Sequence, residues 1–145
     1  KVTFVFMTGN AQSWRGHHSY RDDAGGHNRY LRNRQIRDYC KKNKCVLYDF
    51  ADIESYDPDG EFYEFPDDNC DYYSSASGEK LGNWATAWQS SHTQNVDWYS
   101  CGAAHTEPLN ANQKAYAAWW LWARLAGWPG PGGSVTAPVQ LLLLN

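Results

Sequence analysis

The chain opens on a nearly continuous apolar run, Val2-Thr3-Phe4-Val5-Phe6-Met7, closed by Thr8-Gly9. A short apolar run without alternation is the pattern of a strand buried on both faces, as in the middle of a parallel sheet. A polar stretch rich in Gly and His follows, from Asn10 to about His27. Unstructured loops of that length are uncommon in compact domains, which marks it as a functional loop. From Asn28 to Asn43 the spacing predicts a helix. Asn33, Ile36 and Cys40 share one face, Asn28 stands where an N-cap belongs, and Lys41, Lys42 and Lys44 lie where positive charge complements the helix dipole. Cys45-Val46-Leu47-Tyr48-Asp49-Phe50 then reads as a second strand. Strand, crossover helix and strand form the unit of a parallel sheet, so an α/β fold is expected.

From Asp52 to about Leu81 the chain is acidic, aromatic and punctuated by Pro58, Gly60, Pro66 and Gly78, which predicts irregular structure. Asn83 to Gln89 suits a short helix. Asn110 to Gly127 is the clearest helical stretch, apolar almost all round from Ala115, so both of its faces are expected to be covered. Gly127 is placed to cap it, with Pro129 beyond. These elements define one domain over residues 1–128. Residues 129–145 form a Pro/Gly linker and an apolar tail, in which Val139-Gln140-Leu141-Leu142-Leu143-Leu144 either folds back as an edge strand or pairs with another molecule.

Length and charge narrow the classes. With 145 residues the chain can bury roughly two-thirds of its unfolded surface. A net charge of −3 sets up no broad positive field, so neither nucleic acid nor an anionic membrane is an expected partner. The basic residues from Arg29 to Lys44 read as the solvated face of the first helix. No stretch approaches the roughly 20 apolar residues that span a bilayer. Eight Trp and ten Tyr are far above ordinary use. The Trp cluster at 119–122 is read first as core, while Trp84, Trp88, Trp98, Tyr72, Tyr73 and Tyr99 either pack under the long loop or stack on sugar rings. Four cysteines, Cys40, Cys45, Cys70 and Cys101, with few lysines, favour disulfides and an extracellular location. Three pairings remain open; Cys40–Cys45 would join the helix end to the next strand, and Cys70–Cys101 would tie the long loop to the segment before the last helix. The abrupt start on a strand, without an initiator Met, suggests a processed or truncated product.

Three stretches, taken together, resemble a secreted branch of the SGNH (GDSL-like) hydrolases. They are Phe4-Val5-Phe6-Met7-Thr8-Gly9, then Asn33 to Cys40 running into Val46 to Glu54, and finally Ala104-His105-Thr106-Glu107-Pro108-Leu109-Asn110 leading into the last helix. The resemblance implies a three-layer, flavodoxin-like parallel sheet flanked by helices and incomplete at the N-terminus, an esterase ancestry, and acylated carbohydrate as substrate or ligand. It also implies that His105 is the general base for a serine placed earlier in the chain. Two departures stand out. The family's Gly-Asp-Ser block and its oxyanion-hole Gly and Asn blocks have no match, and the Asp expected three residues before His105 is Gly102. Without that carboxylate the imidazole lacks its usual orienting partner; Asp97 is the nearest upstream acid. Ser13, Ser19 and Ser100 have no elbow motif, so the chain alone is not expected to be an efficient catalyst. The alternative is a non-catalytic extracellular module that binds glycan or builds fibres through its tail.

Two metal readings accompany these. Asp57-Pro58-Asp59-Gly60 resembles the turn of a Ca²⁺ loop, with Asp57 and Asp59 as the candidate ligands, although the later ligands of such a loop are missing. His17, His18 and His27 lie near Asp22 and Asp23 and offer imidazole and carboxylate, but at no template spacing. No other cofactor motif is present.

Overall fold

A computed structural model describes residues 2–13 and 23–130. The apolar tail, His17, His18 and Asp22 lie outside the described residues. The fold is mixed α/β. Strand β1 (Val5–Met7) leads through helix α1 (Asp23–Asn43) to strand β2 (Val46–Tyr48), and helix α2 (Phe50–Ile53) follows directly. Strands β3 (Asp71–Tyr73) and β4 (Lys80–Asn83) form a hairpin, and helices α3 (Trp84–Ser91) and α4 (Pro108–Leu125) complete the chain.

The first apolar run and the second pair in parallel, Val5 opposite Val46 and Met7 opposite Tyr48, bridged by the Arg-rich helix as the pattern predicts. Helix α1 packs on both strands, and α4 contacts β2, α2 and α3. Among the described residues the parallel sheet has two strands, and the other sheet is the antiparallel β3–β4 pair.

Element boundaries moved for identifiable reasons. Helix α1 begins at Asp23, five residues before the expected cap, and runs through Gly25 and Gly26. Each glycine costs about 1 kcal/mol relative to Ala in a helix, so local preference pointed to a later start. Its C-terminus closes as a left-handed cap: Lys44 has φ 53° and the Cys45 amide donates to the Cys40 carbonyl at 3.0 Å. Strand β2 stops at Tyr48 because Asp49 accepts from the Asp52 amide and caps α2. The β3–β4 hairpin arises in a region expected to be irregular. Its strands are short and joined through a Ser- and Gly-containing turn that gives little periodic signal.

One core centre gathers Cys70, Trp84, Ala85 and Leu109, with Tyr63, Tyr72, Trp88 and Trp98 packed around it. Leu47, Ala51, Ile53, Ala117 and Leu121 are also buried. Trp84 therefore belongs to the core, and Trp88 and Trp98 are half-buried beside it. The expectation for α4 is corrected. Trp119 and Trp122 are 67% and 56% exposed, and Tyr116 and Leu125 share their side. Only Leu109, Asn110, Gln113, Ala117 and Leu121 are buried, a single stripe at helical spacing. The apolar composition of this helix exceeds the surface that the described residues supply to cover it.

Candidate functional site

Parallel strands deliver their following loops to one rim, and α/β proteins place their sites there. Here the loop after β1 and the segment after β2 are joined by two polar networks. In the first, the buried Thr8 hydroxyl donates to Asp49 Oδ1 at 3.0 Å and accepts from the Ala51 amide at 3.0 Å. Arg37, reaching down from α1, grips the same Asp49 through Nε at 2.5 Å and Nη2 at 2.8 Å. Asn33 receives the Gly9 amide at 2.9 Å and donates back to the Gly9 carbonyl at 3.2 Å, pinning α1 to the loop.

The second network centres on Glu54, which is fully buried. Its Oε2 accepts from the Ala11 amide at 2.5 Å, and its Oε1 faces Lys114 Nζ of α4 at 2.7 Å. Lys114 thus supplies the counter-charge to this buried carboxylate. Burial pushes the Glu54 carboxyl up from its ordinary range, while Lys114 and the Ala11 amide pull it back. Lys114 also donates to the Thr106 hydroxyl at 3.3 Å and lies 4.5 Å from the centre of the Phe50 ring. Asn110 ties the start of α4 to the Ile53 carbonyl at 2.8 Å and accepts from Thr106 at 2.9 Å. The turn that carries His105 is thus anchored, through its next residue, to the rim of the parallel pair.

His105 itself is exposed and has φ 55°, a left-handed conformation held by that turn. Among the described residues no hydrogen bond to its ring is found. Gly102 is exposed, and a Cβ there would meet nothing within 4 Å. Asp97 is occupied elsewhere: its carboxylate accepts from the Thr93 amide at 2.8 Å and closes its own turn. Ser100 is exposed, and Ser19 lies outside the described residues.

The pair offered for Ca²⁺ is engaged in turn closure. Asp57 Oδ1 accepts from the Asp59 and Glu61 amides at 3.0 and 2.9 Å, and its Oδ2 from the Tyr63 hydroxyl at 3.1 Å. Asp59 accepts from the Trp88 indole at 2.8 Å. The two carboxylates therefore stitch the acidic turn to the aromatic core. His27, the described member of the histidine group, lies 6.5 Å from the Tyr30 ring.

A cavity of about 380 Å³ opens beside the first network. Its walls come from the loop after β1, from α1, from α2 and from residues 62–66. Asp52 stands in this wall with its carboxyl pushed up to about 6, first by burial and then by neighbouring Asp49, against the pull of Arg37. The sequence sets Asp49, Asp52 and Glu54 close together. It does not separate the Arg37-bound, the cavity-facing and the Lys114-bound carboxylate. The available signal was their alternation with Phe50, Ala51 and Ile53, since acids interleaved with apolar residues are forced toward the interior.

No protein-family model, no curated protein and no solved structure matches this chain.

Proposed function

We propose that this chain is an SGNH-like extracellular domain of esterase ancestry that acts on or binds acylated carbohydrate, with His105 as the proton-accepting residue of the ester chemistry. The observation that carries the reading is the anchoring of the His105 turn, through Thr106 and Lys114, to the Glu54 that also holds Ala11 of the loop after β1. General-base catalysis needs an accessible imidazole on a rigid support within reach of the reacting hydroxyl. The fold implied by the resemblance is a wider three-layer sheet. The opening run departs from the expectation of a strand buried on both faces: Val5 and Met7 of β1, and Phe4 just before it, are exposed among the described residues, and the wider sheet with its covering helices remains part of this proposal.

A second reading is favoured by one observation. Gly102 supplies no carboxylate and Asp97 is held by Thr93, so no acid is engaged with His105 among the described residues. On that reading the domain binds glycan without cleaving it. Hydrolysis of p-nitrophenyl acetate separates the two. The esterase reading expects turnover that falls on His105→Ala and rises on Gly102→Asp, a substitution with open space around it. Absent turnover, or turnover that survives His105→Ala, overturns it in favour of the binding module.

The extracellular assignment rests on the cysteines. All four are free thiols in this structure. The Cys40 thiol lies beside that of Cys45, while Cys70 and Cys101 both reach the 106–108 turn, at 3.7 Å from Thr106 Oγ1 and 3.8 Å from the Pro108 carbonyl. Oxidation would join Cys40 to Cys45 and Cys70 to Cys101. Peptide mapping of the secreted protein without reductant tests this, and free thiols in that sample overturn it.

A further inference from the structure

The cavity beside Asp52 has a composition that selects one kind of ligand. Asp52 has no hydrogen-bond donor to its carboxylate among the described residues, although it is largely withdrawn from water. The Gln12 amide likewise has no partner there. Ser55 donates to the Ala51 carbonyl at 2.7 Å and keeps its lone pairs. Arg37 spends Nε and Nη2 on Asp49, leaving Nη1. These groups converge with the half-exposed rings of Tyr30 and Phe62 on the same 380 Å³ space.

Each simple ligand class can be weighed against that lining. A purely apolar ligand would leave the Asp52 carboxylate desolvated and unpaired, at a cost of several kcal/mol. An anion such as phosphate or sulfate would face both Asp52 and Glu64, while Arg37, the one cation among the described lining residues, is already satisfied by Asp49. An organic cation would be pressed against that same guanidinium. A neutral polyhydroxylated ring meets none of these objections. Its hydroxyls donate to Asp52 and Ser55 and accept from Arg37 Nη1 and Gln12, and its C–H face lies on an aromatic ring. The volume lies within the range of small-molecule sites, about 300–1,000 Å³.

We infer that this cavity is a pyranose-binding subsite, with Asp52 as its hydroxyl acceptor and Phe62 and Tyr30 as its ring platform. The inference deepens the carbohydrate reading above and rests on it for the choice of a sugar among neutral polyols. It also gives the candidate site a sugar-holding part separate from the His105 turn.

The test is titration of the full chain with methyl β-glucopyranoside, methyl β-galactopyranoside and N-acetylglucosamine, followed by two-dimensional amide NMR. At least one sugar is expected to bind saturably at millimolar concentration and to shift amides of residues 11–12, 30–37 and 51–55. Asp52→Asn and Phe62→Ala should each weaken binding at least tenfold while the remaining spectrum stays folded. Inorganic sulfate and choline chloride are the counter-probes. No saturable sugar binding, binding indifferent to both substitutions, or tighter binding of either counter-probe at this cavity overturns the inference. Parallel p-nitrophenyl acetate assays keep the two proposals apart. Sugar binding without turnover removes the hydrolase and keeps the subsite, whereas turnover without sugar binding does the reverse.

Discussion

Replacing Lys114 by Met isolates the energetics of the buried rim. Lys114 is the cation facing Glu54, whose side chain is 0% exposed and whose other oxygen is held by the Ala11 amide. Methionine fills most of the same volume but leaves a buried carboxylate without its counter-charge, a change that usually costs about 3–5 kcal/mol. The protein has one escape, which is to protonate Glu54. From the ordinary value of 4.5, taking up that proton at pH 7 costs about 3.4 kcal/mol at 1.36 kcal/mol per pH unit. The two figures agree, and the second carries a sign. In the variant the folded-state pKa of Glu54 lies well above the unfolded value. The neutral form is then free of penalty below about pH 4.5, and stability falls as pH rises toward the folded pKa. The deficit of Lys114→Met relative to the native chain should therefore shrink by up to about 1.4 kcal/mol per pH unit between pH 7 and pH 5. Urea unfolding followed by Trp fluorescence at pH 5, 6 and 7 measures it, and the double variant Glu54→Gln/Lys114→Met should recover most of the loss at pH 7. A deficit that stays constant with pH, or a double variant no better than the single, would refute the account of Glu54 as a buried charge held by Lys114. Losses of this size are a large share of the 5–15 kcal/mol typical of a domain.

Three further outcomes follow from the same geometry. Asp52→Asn should stabilise the chain at neutral pH. The rise from 3.8 to about 6 bounds the effect at roughly 3 kcal/mol, and partial water access trims it to about 1–2. Because this pKa is raised on folding, the benefit should be full above pH 6 and fade below about pH 4; urea midpoints at pH 4 and pH 7 check the sign, and a destabilised variant at pH 7 refutes it. Arg37→Met removes the bidentate partner of Asp49 and should cost about 2–3 kcal/mol by denaturant unfolding. The same change should push Asp52 further up in an NMR titration, since Arg37 opposes its rise, and an unmoved Asp52 would contradict that. Trp84→Ala empties the most buried aromatic site, where the indole donates to the Glu54 carbonyl at 3.2 Å, and should cost about 3–5 kcal/mol in thermal or urea unfolding.

Function and stability pull against each other at Asp52. Its replacement is expected to strengthen the fold and to weaken sugar binding, the trade expected of a residue retained for its site rather than for packing. At Glu54 and Arg37 no such conflict arises, because both are paired.

The sequence by itself determined the backbone plan of the rim. Two short apolar runs, separated by a stretch of helical spacing, specify a parallel pair with a crossover helix, and Val5 opposite Val46 realises it. Gly127 at φ 97° closes α4 where the Gly-then-Pro pattern placed its end, because a left-handed cap favours a residue without Cβ. The sequence also singled out His105, but only as the member of a resembling string, with no chemical partner specified. Tertiary structure alone decided the rest. Periodicity reports which side of an element is apolar, not how much surface the fold supplies to cover it, so Trp119 and Trp122 came out exposed while Trp84 was enclosed. Spacing likewise does not record which of several nearby carboxylates meets a cation from a distant helix. Asp49 met Arg37 across 12 positions, Glu54 met Lys114 from α4, and Asp52 was left facing a cavity. Those partnerships depend on distances through space, and a buried charge is decided by the nearest counter-charge, which only the folded chain defines.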